Sequence, residues 1–428
     1  MWRLSYRIFS AVSAIWLWMR RRFTGAGFLA LGTLVTAAAL GVDTKQTLAY
    51  QIFTFLCALL AASILAALLA RPRFQVARFL PRMITAGQAF DYRVLVKNLG
   101  ARRADGLALI EDLSDPRPAF AEFRAALKFP TYRGWWRLVM RNEVAHIDET
   151  ALPALAPRAE TEVRVRGVAY RRGTLRLAGA TVARADPLGL FRSLARTALQ
   201  DKLIVLPRRY SLPSLALPGT RRYQHGGVTL ASSVGDSEEF MGLRDYRPGD
   251  PLQRIHWKSF ARSGKPVVKE YQDEFFERHA LVLDTFTDRD GAVFEEAVSL
   301  AASFACTLDT QESLLDLMFV GAESYCYTAG RGQMQPESLV EILAGVRASA
   351  DGAFHRLHDA VLARRAALSG CILILLAWDE ARQAMARALQ QSGLPLKVLL
   401  VSEENIPAAP DWLRVLVPGK VQEGLARL

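Results

Sequence analysis

The sequence predicts a multidomain membrane protein with an N-terminal transmembrane helical hairpin, an antiparallel β-sandwich and a C-terminal α/β domain. Three observations support this: two long uncharged apolar segments near the N-terminus, alternating apolar and polar runs in the middle, and apolar strands that alternate with helices towards the C-terminus. The predicted divisions are a cytoplasmic or interfacial segment 1–24, the hairpin 25–82, the sandwich 83–207, a junction 208–277 and the α/β domain 278–428.

Composition excludes several protein classes. Of the 428 residues, 51% are hydrophobic and 22% charged, which excludes a disordered or collagen-like chain. The four cysteines are widely scattered, so a disulfide scaffold or a zinc finger is not expected. The net charge is +12, but residues 1–82 hold ten Lys/Arg and one Asp, whereas residues 211–428 are net acidic. This distribution predicts contact with an anionic bilayer rather than nucleic acid.

Two apolar segments predict the hairpin. Residues 25–42 and 47–70 contain 18 and 24 residues without a charge. As helices they would extend roughly 27 and 36 Å, against a hydrocarbon core of about 30 Å. Only four residues separate them, which predicts a tight antiparallel pair.

Arginines flank both segments and predict the orientation. By the positive-inside rule both flanks are cytoplasmic, which predicts a multi-pass membrane protein with cytoplasmic soluble domains. These arginines are Arg20, Arg21, Arg22, Arg71, Arg73, Arg78 and Arg82. Residues 8–19 are apolar but too few to span a membrane. Trp2, Tyr6, Trp16 and Trp18 predict that this first segment lies as a helix in the headgroup region.

Alternation with period two predicts the sandwich. Residues 90–96, 163–169 and 203–206 read as strands with one buried face, and residues 186–189 (Asp-Pro-Leu-Gly) as a tight turn. Residues 128–136 are expected to form a loop or an edge strand. In that segment Trp135 and Trp136 would cover the sandwich core; a partner site there is the alternative.

A dense charged and aromatic segment follows at residues 238–274. Residues 247–250 predict a turn, and Asp250 with Pro251 predicts the start of a short helix that continues to about residue 262. Three hypotheses compete for this segment: phosphate or single-strand binding, acid–base chemistry at Asp250 and His256, and a salt-bridged structural junction that includes partner binding. Charges of both signs favour the junction, with Trp257 packed between the domains.

This segment resembles the signature of the domain-of-unknown-function 58 family of bacterial membrane proteins. The matching residues are Glu239, Phe240, Gly242, Leu243, Arg244, Tyr246, Gly249, Asp250, Arg254, Ile255, Trp257, Lys258, Ala261, Arg262, Lys269 and Glu270. Residues 172–173 and 186–191 also look like that family. The resemblance implies a von Willebrand factor A-like C-terminal half and a MoxR-type AAA+ ATPase as partner, often with a transglutaminase-like protein as a further neighbour. It implies no particular reaction.

A metal site is considered because von Willebrand A domains hold a cation with Asp-x-Ser-x-Ser and a later Asp. The corresponding weak candidates here are Asp284, Asp288 and Asp379, with Phe286 in place of the first serine. A hard cation needs several oxygen ligands and Phe supplies none, so we expect no metal and a carboxylate that caps the next loop. The pair His355 and His358 is expected to lie on a helix face.

The sequence therefore predicts a non-enzymatic, membrane-anchored interaction or adaptor protein without a cofactor. Its expected partners are the lipid bilayer, a MoxR-type AAA+ ATPase that works with it in assembly or maturation of other proteins, and a transglutaminase-like neighbour; nucleic acid is not expected. The alternative is a divalent-metal-dependent or ligand-binding von Willebrand A-like module. A hydrolase around Asp250 and His256 is the third hypothesis.

Overall fold

The computed structural model describes residues 2–40, 47–70, 72–213, 240–250, 252–271, 277–287, 291–307, 313–330, 334–350, 354–403, 410 and 412–426. The chain divides into two compact units, Met1–Arg208 and Arg209–Leu428. The first unit contains three N-terminal helices and a β-rich domain, and the second contains a β-hairpin and an α/β domain.

Three helices open the first unit. They are α1 (Trp2–Arg22), α2 (Gly25–Leu40) and α3 (Thr47–Leu69). Helices α2 and α3 coincide with the two predicted apolar segments and contact each other. Among the described residues one helix, Leu48–Leu69, is long and apolar enough to cross a membrane, and Gly25–Ala39 is a shorter apolar helix. The predicted pair of helices is therefore present, and among the described helices α3 has both the length and the apolar composition expected of a span.

The β-rich domain contains two sheets. Its elements are β1 (Phe74–Phe79), β2 (Met83–Thr85), β3 (Ala89–Asn98), β4 (Leu107–Leu113), α4 (Phe120–Ala126), α5 (Tyr132–Asn142), β5 (Ala145–Ile147), β6 (Thr150–Leu152), β7 (Glu160–Ala169), β8 (Gly173–Ala185), β9 (Arg192–Thr197) and β10 (Asp201–Leu206). One sheet has the order β1-β3-β7-β5, and the other has the order β2-β10-β8-β4-β6 with β9 beside β8. The β2–β10 pair is parallel, so the sandwich is not wholly antiparallel as predicted.

The sandwich begins earlier than predicted. Strand β1 pairs with β3 from Phe74 onwards, so the domain starts at Phe74 rather than at residue 83. Arg78, assigned from sequence to a basic membrane flank, lies inside this strand with 1% of its side chain exposed. It binds Glu111 and Asp201 of the opposite sheet. The period-two signal in β1 is obscured because an arginine occupies a buried position.

A helical insert replaces the predicted loop over residues 128–136. Trp135 belongs to α5 and is fully buried against Phe123 of α4. Its indole N–H donates to Ser13 Oγ of α1 at 2.8 Å. Trp2 and Tyr6 also pack into this cluster, which places them against protein rather than in the headgroup region. A glycine at position 134 suggests a turn, but the residue lies in the first turn of α5. The Thr131 side chain caps this helix by accepting from the Gly134 N–H.

The second unit starts with a hairpin and continues as an α/β domain. The hairpin elements are β11 (Phe240–Asp245), a 3₁₀ turn (Leu252–Arg254), α6 (Trp257–Ser263) and β12 (Val267–Tyr271). The α/β elements are β13 (Glu277–Leu283), α7 (Ala292–Thr307), β14 (Ser313–Val320), β15 (Ser324–Ala329), α8 (Pro336–Gly345), α9 (Phe354–Arg364), β16 (Gly370–Leu375), α10 (Glu380–Gln391), β17 (Leu396–Val401), β18 (Leu413–Leu416) and α11 (Val421–Leu425).

Six strands form one sheet in the order β15-β14-β13-β16-β17-β18. The pairs from β14 to β18 are parallel, and only the edge strand β15 runs antiparallel. Helices α9 and α10 pack with one face of the sheet in a single buried cluster. Helix α7 contacts β13, β16 and β17. Strand β16 is buried throughout and β13 is buried from His279 onwards, in agreement with the α/β class that their apolar runs predict.

Candidate functional site

The signature residues form a compact antiparallel hairpin. Strand β11 pairs with β12, and Leu243 lies opposite Lys269. Between the strands, Ile255 bridges to Val268, and both side chains are buried. The His256 N–H donates to the Val267 carbonyl at 2.8 Å. The hairpin core is therefore small, and most signature side chains lie around it rather than in it.

An ion pair holds the turn of this hairpin. The Arg244 guanidinium donates two hydrogen bonds of 2.7 Å to the Asp250 carboxylate, which also accepts from the Arg247 N–H at 2.8 Å. Gly249 has a φ of 106°, which only glycine adopts freely. The bonds from Arg244 and Arg247 lower the pKa of Asp250 to about 2. A carboxyl group that these bonds keep ionised has no proton to donate as a general acid at neutral pH.

The predicted continuous helix is divided in two. A 3₁₀ turn covers Leu252–Arg254, and α6 begins only at Trp257, with His256 as its N-cap residue. The chain leaves helical geometry between them because Ile255 and His256 pair with β12. The His256 Nδ1 lies 2.7 Å from Ser259 Oγ in the first turn of α6.

Trp257, expected from the sequence to be packed, lies largely in solvent. Its side chain is 61% exposed, and its ring contacts Phe260 edge-on at 6.1 Å between centroids. Leu252 and Leu243 are also exposed, at 66% and 43%. We call these four side chains (Leu243, Leu252, Trp257 and Phe260) the hairpin surface. Exposed basic residues accompany them: Arg247, Arg254, Lys258, Arg262 and Lys265.

The remaining signature residues occupy supporting positions. Gly242 follows an irregularity in the β11–β12 pairing, and Glu270 lies opposite it in β12. The Tyr246 N–H donates to the Pro266 carbonyl at 3.0 Å. Ala261 is exposed on α6. Gly242, Tyr246 and Glu270 thus take part in the backbone pairing of the hairpin.

An arginine lies where the metal-site hypothesis would place a cation. Asp284, at the end of β13, is fully buried, and Asp379 precedes α10. The Arg382 guanidinium joins the two carboxylates: its Nε donates to Asp284 Oδ2 at 2.6 Å and its Nη1 donates to Asp379. Its Nη2 donates to the Phe286 carbonyl at 3.0 Å. The guanidinium thus supplies a fixed positive charge at the carboxyl edge of the sheet.

The Asp284 carboxylate also caps the loop after β13. Its Oδ1 accepts from the Phe286 N–H at 2.9 Å, and its Oδ2 accepts from the Leu376 N–H at 3.1 Å. Burial raises the pKa of Asp284, and its bonds from Arg382 oppose that change. The third candidate, Asp288, lies outside the described residues. Within the part of the chain that the structure describes, no cluster of three His, Cys, Asp or Glu side chains could hold a metal ion.

Arg382 is the residue that sequence analysis missed. One signal is available: Arg382 follows the helix-capping Asp379 by three residues, a spacing that lets an arginine reach back over the first turn. The histidines are placed as expected on α9, where His358 Nδ1 lies 3.0 Å from Asp359 Oδ1.

We expect magnesium and manganese to show no saturable binding below the millimolar range. The reason is that Asp284 and Asp379 already share the Arg382 guanidinium. Calorimetric titration of the detergent-solubilised chain measures this, with Asp284→Ala as the control. Tight binding that Asp284→Ala abolishes would contradict the assignment.

These features define a class of protein: a β-rich domain with an apolar helix, joined to an α/β domain preceded by an exposed aromatic hairpin. The family model described as "Protein of unknown function DUF58" matches residues 242–411, which include the hairpin from Gly242 and the sheet to β17. This match confirms the family resemblance that the signature segment predicts.

Relatives and solved structures add little beyond the family. The uncharacterized protein YeaD of Bacillus subtilis (strain 168) is 28% identical over 167 residues, which are 38% of this chain and 40% of YeaD. The CARDB domain of PF1109 from Pyrococcus furiosus is 15% identical, with a TM-score of 0.18 over 31% of this chain and 94% of that one. A Salmonella alpha-2-macroglobulin mutant is 18% identical, with a TM-score of 0.20 over 34% of this chain and 8% of that one. These structural likenesses carry no inference about fold or function.

Proposed function

We propose that this protein is a non-enzymatic, membrane-anchored interaction protein that binds its partner through the hairpin surface. The observation that supports this is the exposure of Trp257, at 61%, beside a turn that the Arg244–Asp250 ion pair holds. A solvent-exposed tryptophan beside Phe260 has a high free-energy cost in water that a partner can remove. Tryptophan, tyrosine and arginine are also the residues that most often dominate binding energy at interfaces.

The charges around the hairpin surface suit a partner with an acidic rim. Arg254, Lys258 and Arg262 are exposed and lie close to Trp257 in the sequence. Such rim charges accelerate association and select partners more than they add affinity. A MoxR-type AAA+ ATPase is the partner that the family resemblance suggests, and a transglutaminase-like protein is the second.

The α/β domain is proposed as a von Willebrand A-like module in which Arg382 takes the place of the metal ion. Its parallel sheet with one antiparallel edge strand supports this proposal. A fixed guanidinium would make binding by such a module independent of divalent cations. We further propose that α3, with α2, anchors the chain in the bacterial inner membrane and that both soluble parts face the cytoplasm.

Trp257→Ala should weaken capture of a purified MoxR-type ATPase without weakening the fold. A central aromatic anchor contributes at least about 2 kcal/mol, roughly thirtyfold in Kd. Because the side chain is exposed, the free energy of unfolding should change by only about 0.5 kcal/mol, rather than the 3–5 kcal/mol lost when a buried tryptophan is truncated. Affinity is measured with the full chain in detergent, and stability by thermal unfolding.

Phe129→Ala is the matched control, because Phe129 is a 75% exposed aromatic side chain outside the hairpin surface. It should bind the ATPase as the parent does. Unchanged affinity in both variants would contradict binding through the hairpin surface. A large loss of stability in Trp257→Ala would instead support the structural-junction hypothesis.

A further inference from the structure

We propose that α1 lies in the plane of the membrane surface, with one apolar face in the acyl-chain boundary of an anionic bilayer. This face consists of Leu4, Ile8, Val12 and Ile15 and is called the α1 lipid face below. The helical insert of the β-rich domain lies on the opposite face of α1 and is thereby held at the membrane. The inference rests on the proposed anchoring by α3, which the experiment below measures separately.

Helix α1 has two apolar faces, and among the described residues protein covers one of them. Trp2, Tyr6, Phe9 and Ser13 pack against the cluster around Phe123 and Trp135. The α1 lipid face recurs at intervals of three to four residues, so its members share one side of the helix. Their side chains are exposed by 65%, 49%, 44% and 58%, in chain order. A continuous stripe of four large exposed apolar residues is an interaction surface rather than ordinary protein exterior.

The aromatic residues near the end of α1 link this stripe to the apolar helices. Helix α1 ends at Arg22 and α2 begins at Gly25, so two residues connect them. The Trp16 ring lies 6.0 Å from the Phe28 ring in the first turn of α2. Trp16 and Trp18 are 44% and 52% exposed, as expected for indole rings at a headgroup level. The end of α1 and the start of α2 therefore lie at the same depth relative to the membrane surface.

The turn at residues 186–191 holds the β-rich domain at a fixed position along the apolar helices. Asp186 accepts from Ser63 Oγ of α3 at 2.7 Å and from the N–H groups of Leu190 and Phe191 at 2.8 and 2.7 Å. The Thr24 N–H donates to the Leu190 carbonyl at 3.2 Å. The same turn thus binds α3 and the α1–α2 connection. Ser63 lies six residues before the end of α3, about 9 Å along its axis, so the turn reaches beside the apolar helix.

Charge identifies the bilayer as anionic. Helix α1 contains no acidic residue, and Arg3, Arg7 and Arg20 are exposed along it. Basic residues beside an apolar helix face bind anionic headgroups while the apolar face enters the interface to about 5–10 Å. The start of α2 is packed closely against the turn at residues 186–191, because a Cβ at Gly27 would lie 2.0 Å from the Leu190 carbonyl oxygen. The α1 lipid face is consequently held in a fixed direction rather than on a free arm.

The test uses the full chain reconstituted in vesicles of equal parts phosphatidylcholine and phosphatidylglycerol. Single cysteines carrying spin labels are placed at Leu4, Ile8, Val12 and Ile15, one per variant, after replacement of the native cysteines. Accessibility to oxygen, which concentrates in lipid, is compared with accessibility to a water-soluble nickel complex. Cys57 of α3, labelled alone, reports the membrane anchoring on which the inference rests. Arg7→Cys is the matched control, since Arg7 is exposed beside Ile8.

We expect labels on the α1 lipid face to meet oxygen several-fold more than the nickel complex, and the Arg7→Cys label to show the reverse. Omitting phosphatidylglycerol should make the four labels shallower, and no change would overturn the role of the arginines. Nickel access at all four positions would overturn the inference, and it would do so without affecting the proposed anchoring if Cys57 still reports lipid. Protection from both reagents would mean that a second copy of the chain covers this face, which also overturns it.

Discussion

Replacing Arg382 with methionine is expected to lower the free energy of unfolding of the α/β domain by about 3–5 kcal/mol, because a charge is left buried without its partner. Asp284 is fully buried, and the Arg382 side chain is only 7% exposed. Methionine matches the aliphatic stem of arginine but lacks the guanidinium, so the loss reports that group. That group also donates to Asp379 and to the Phe286 carbonyl, which would lose a partner.

The buried thiol of Cys371 provides the measurement. It lies in β16 beside β13, and burial raises its pKa to about 12, so it reacts only when the sheet opens. Its labelling rate across a denaturant series gives the opening free energy of this domain in the full chain. Arg387→Met, an exposed position on the same helix, is the control and should change that value by about 0.5 kcal/mol at most.

A double variant separates the ion pair from simple packing. Arg382→Met combined with Asp284→Asn removes both charges and should recover part of the lost stability, because no uncompensated carboxylate remains. If Arg382→Met were as stable as the control, the guanidinium would not compensate Asp284, and a role for Arg382 in place of a metal would be wrong.

Local patterns predicted much of the fold. The strand at residues 203–206 is β10, and the Asp186 turn has the expected backbone bond from the Gly189 N–H to the Asp186 carbonyl. The continuous apolar runs of the C-terminal part gave the correct α/β class. These successes share a cause: alternation and turn chemistry act between residues that are close in the sequence.

The errors concern side chains whose partners are distant in the sequence. Trp135 was expected to cover the sandwich, but its N–H group binds Ser13, which is 122 residues away. Trp257 was expected to be buried because of its size, yet the small core of the hairpin is filled by Ile255 and Val268. Composition cannot distinguish a tryptophan that fills a core from one that faces solvent, since only the tertiary neighbours decide which surface is left over.

The candidate site could be predicted in part. The absence of a second oxygen ligand at Phe286 is visible in the sequence and argues against a metal. The arginine that binds Asp284 is not visible there, because Asp284 and Arg382 are 98 positions apart and meet only when β13 and β16 pair.

Arg78→Met should destabilise the β-rich domain by about 3–5 kcal/mol. Arg78 crosses the sandwich from β1 to β4 and β10, and the Arg78 and Glu111 side chains are each 1% exposed. Its Nη1 lies 2.9 Å from Asp201 Oδ2 and also donates to the Leu199 carbonyl at 3.0 Å. Methionine would leave Glu111 buried without a cation, and water cannot easily reach it.

Arg93→Met is the matched control for this prediction. Arg93 lies in the neighbouring strand β3 and pairs with Glu162, but the two side chains are 60% and 47% exposed. Such a pair contributes about 0–1 kcal/mol, because water solvates both charges when they separate. Hydrogen exchange of β4 and β10 amides in the full chain reports the opening free energy of this domain. Equal losses in Arg78→Met and Arg93→Met would mean that burial does not determine the effect. A larger loss in Arg78→Met would show that this arginine belongs to the sandwich core and should not be counted among the flanking charges that orient the apolar helices.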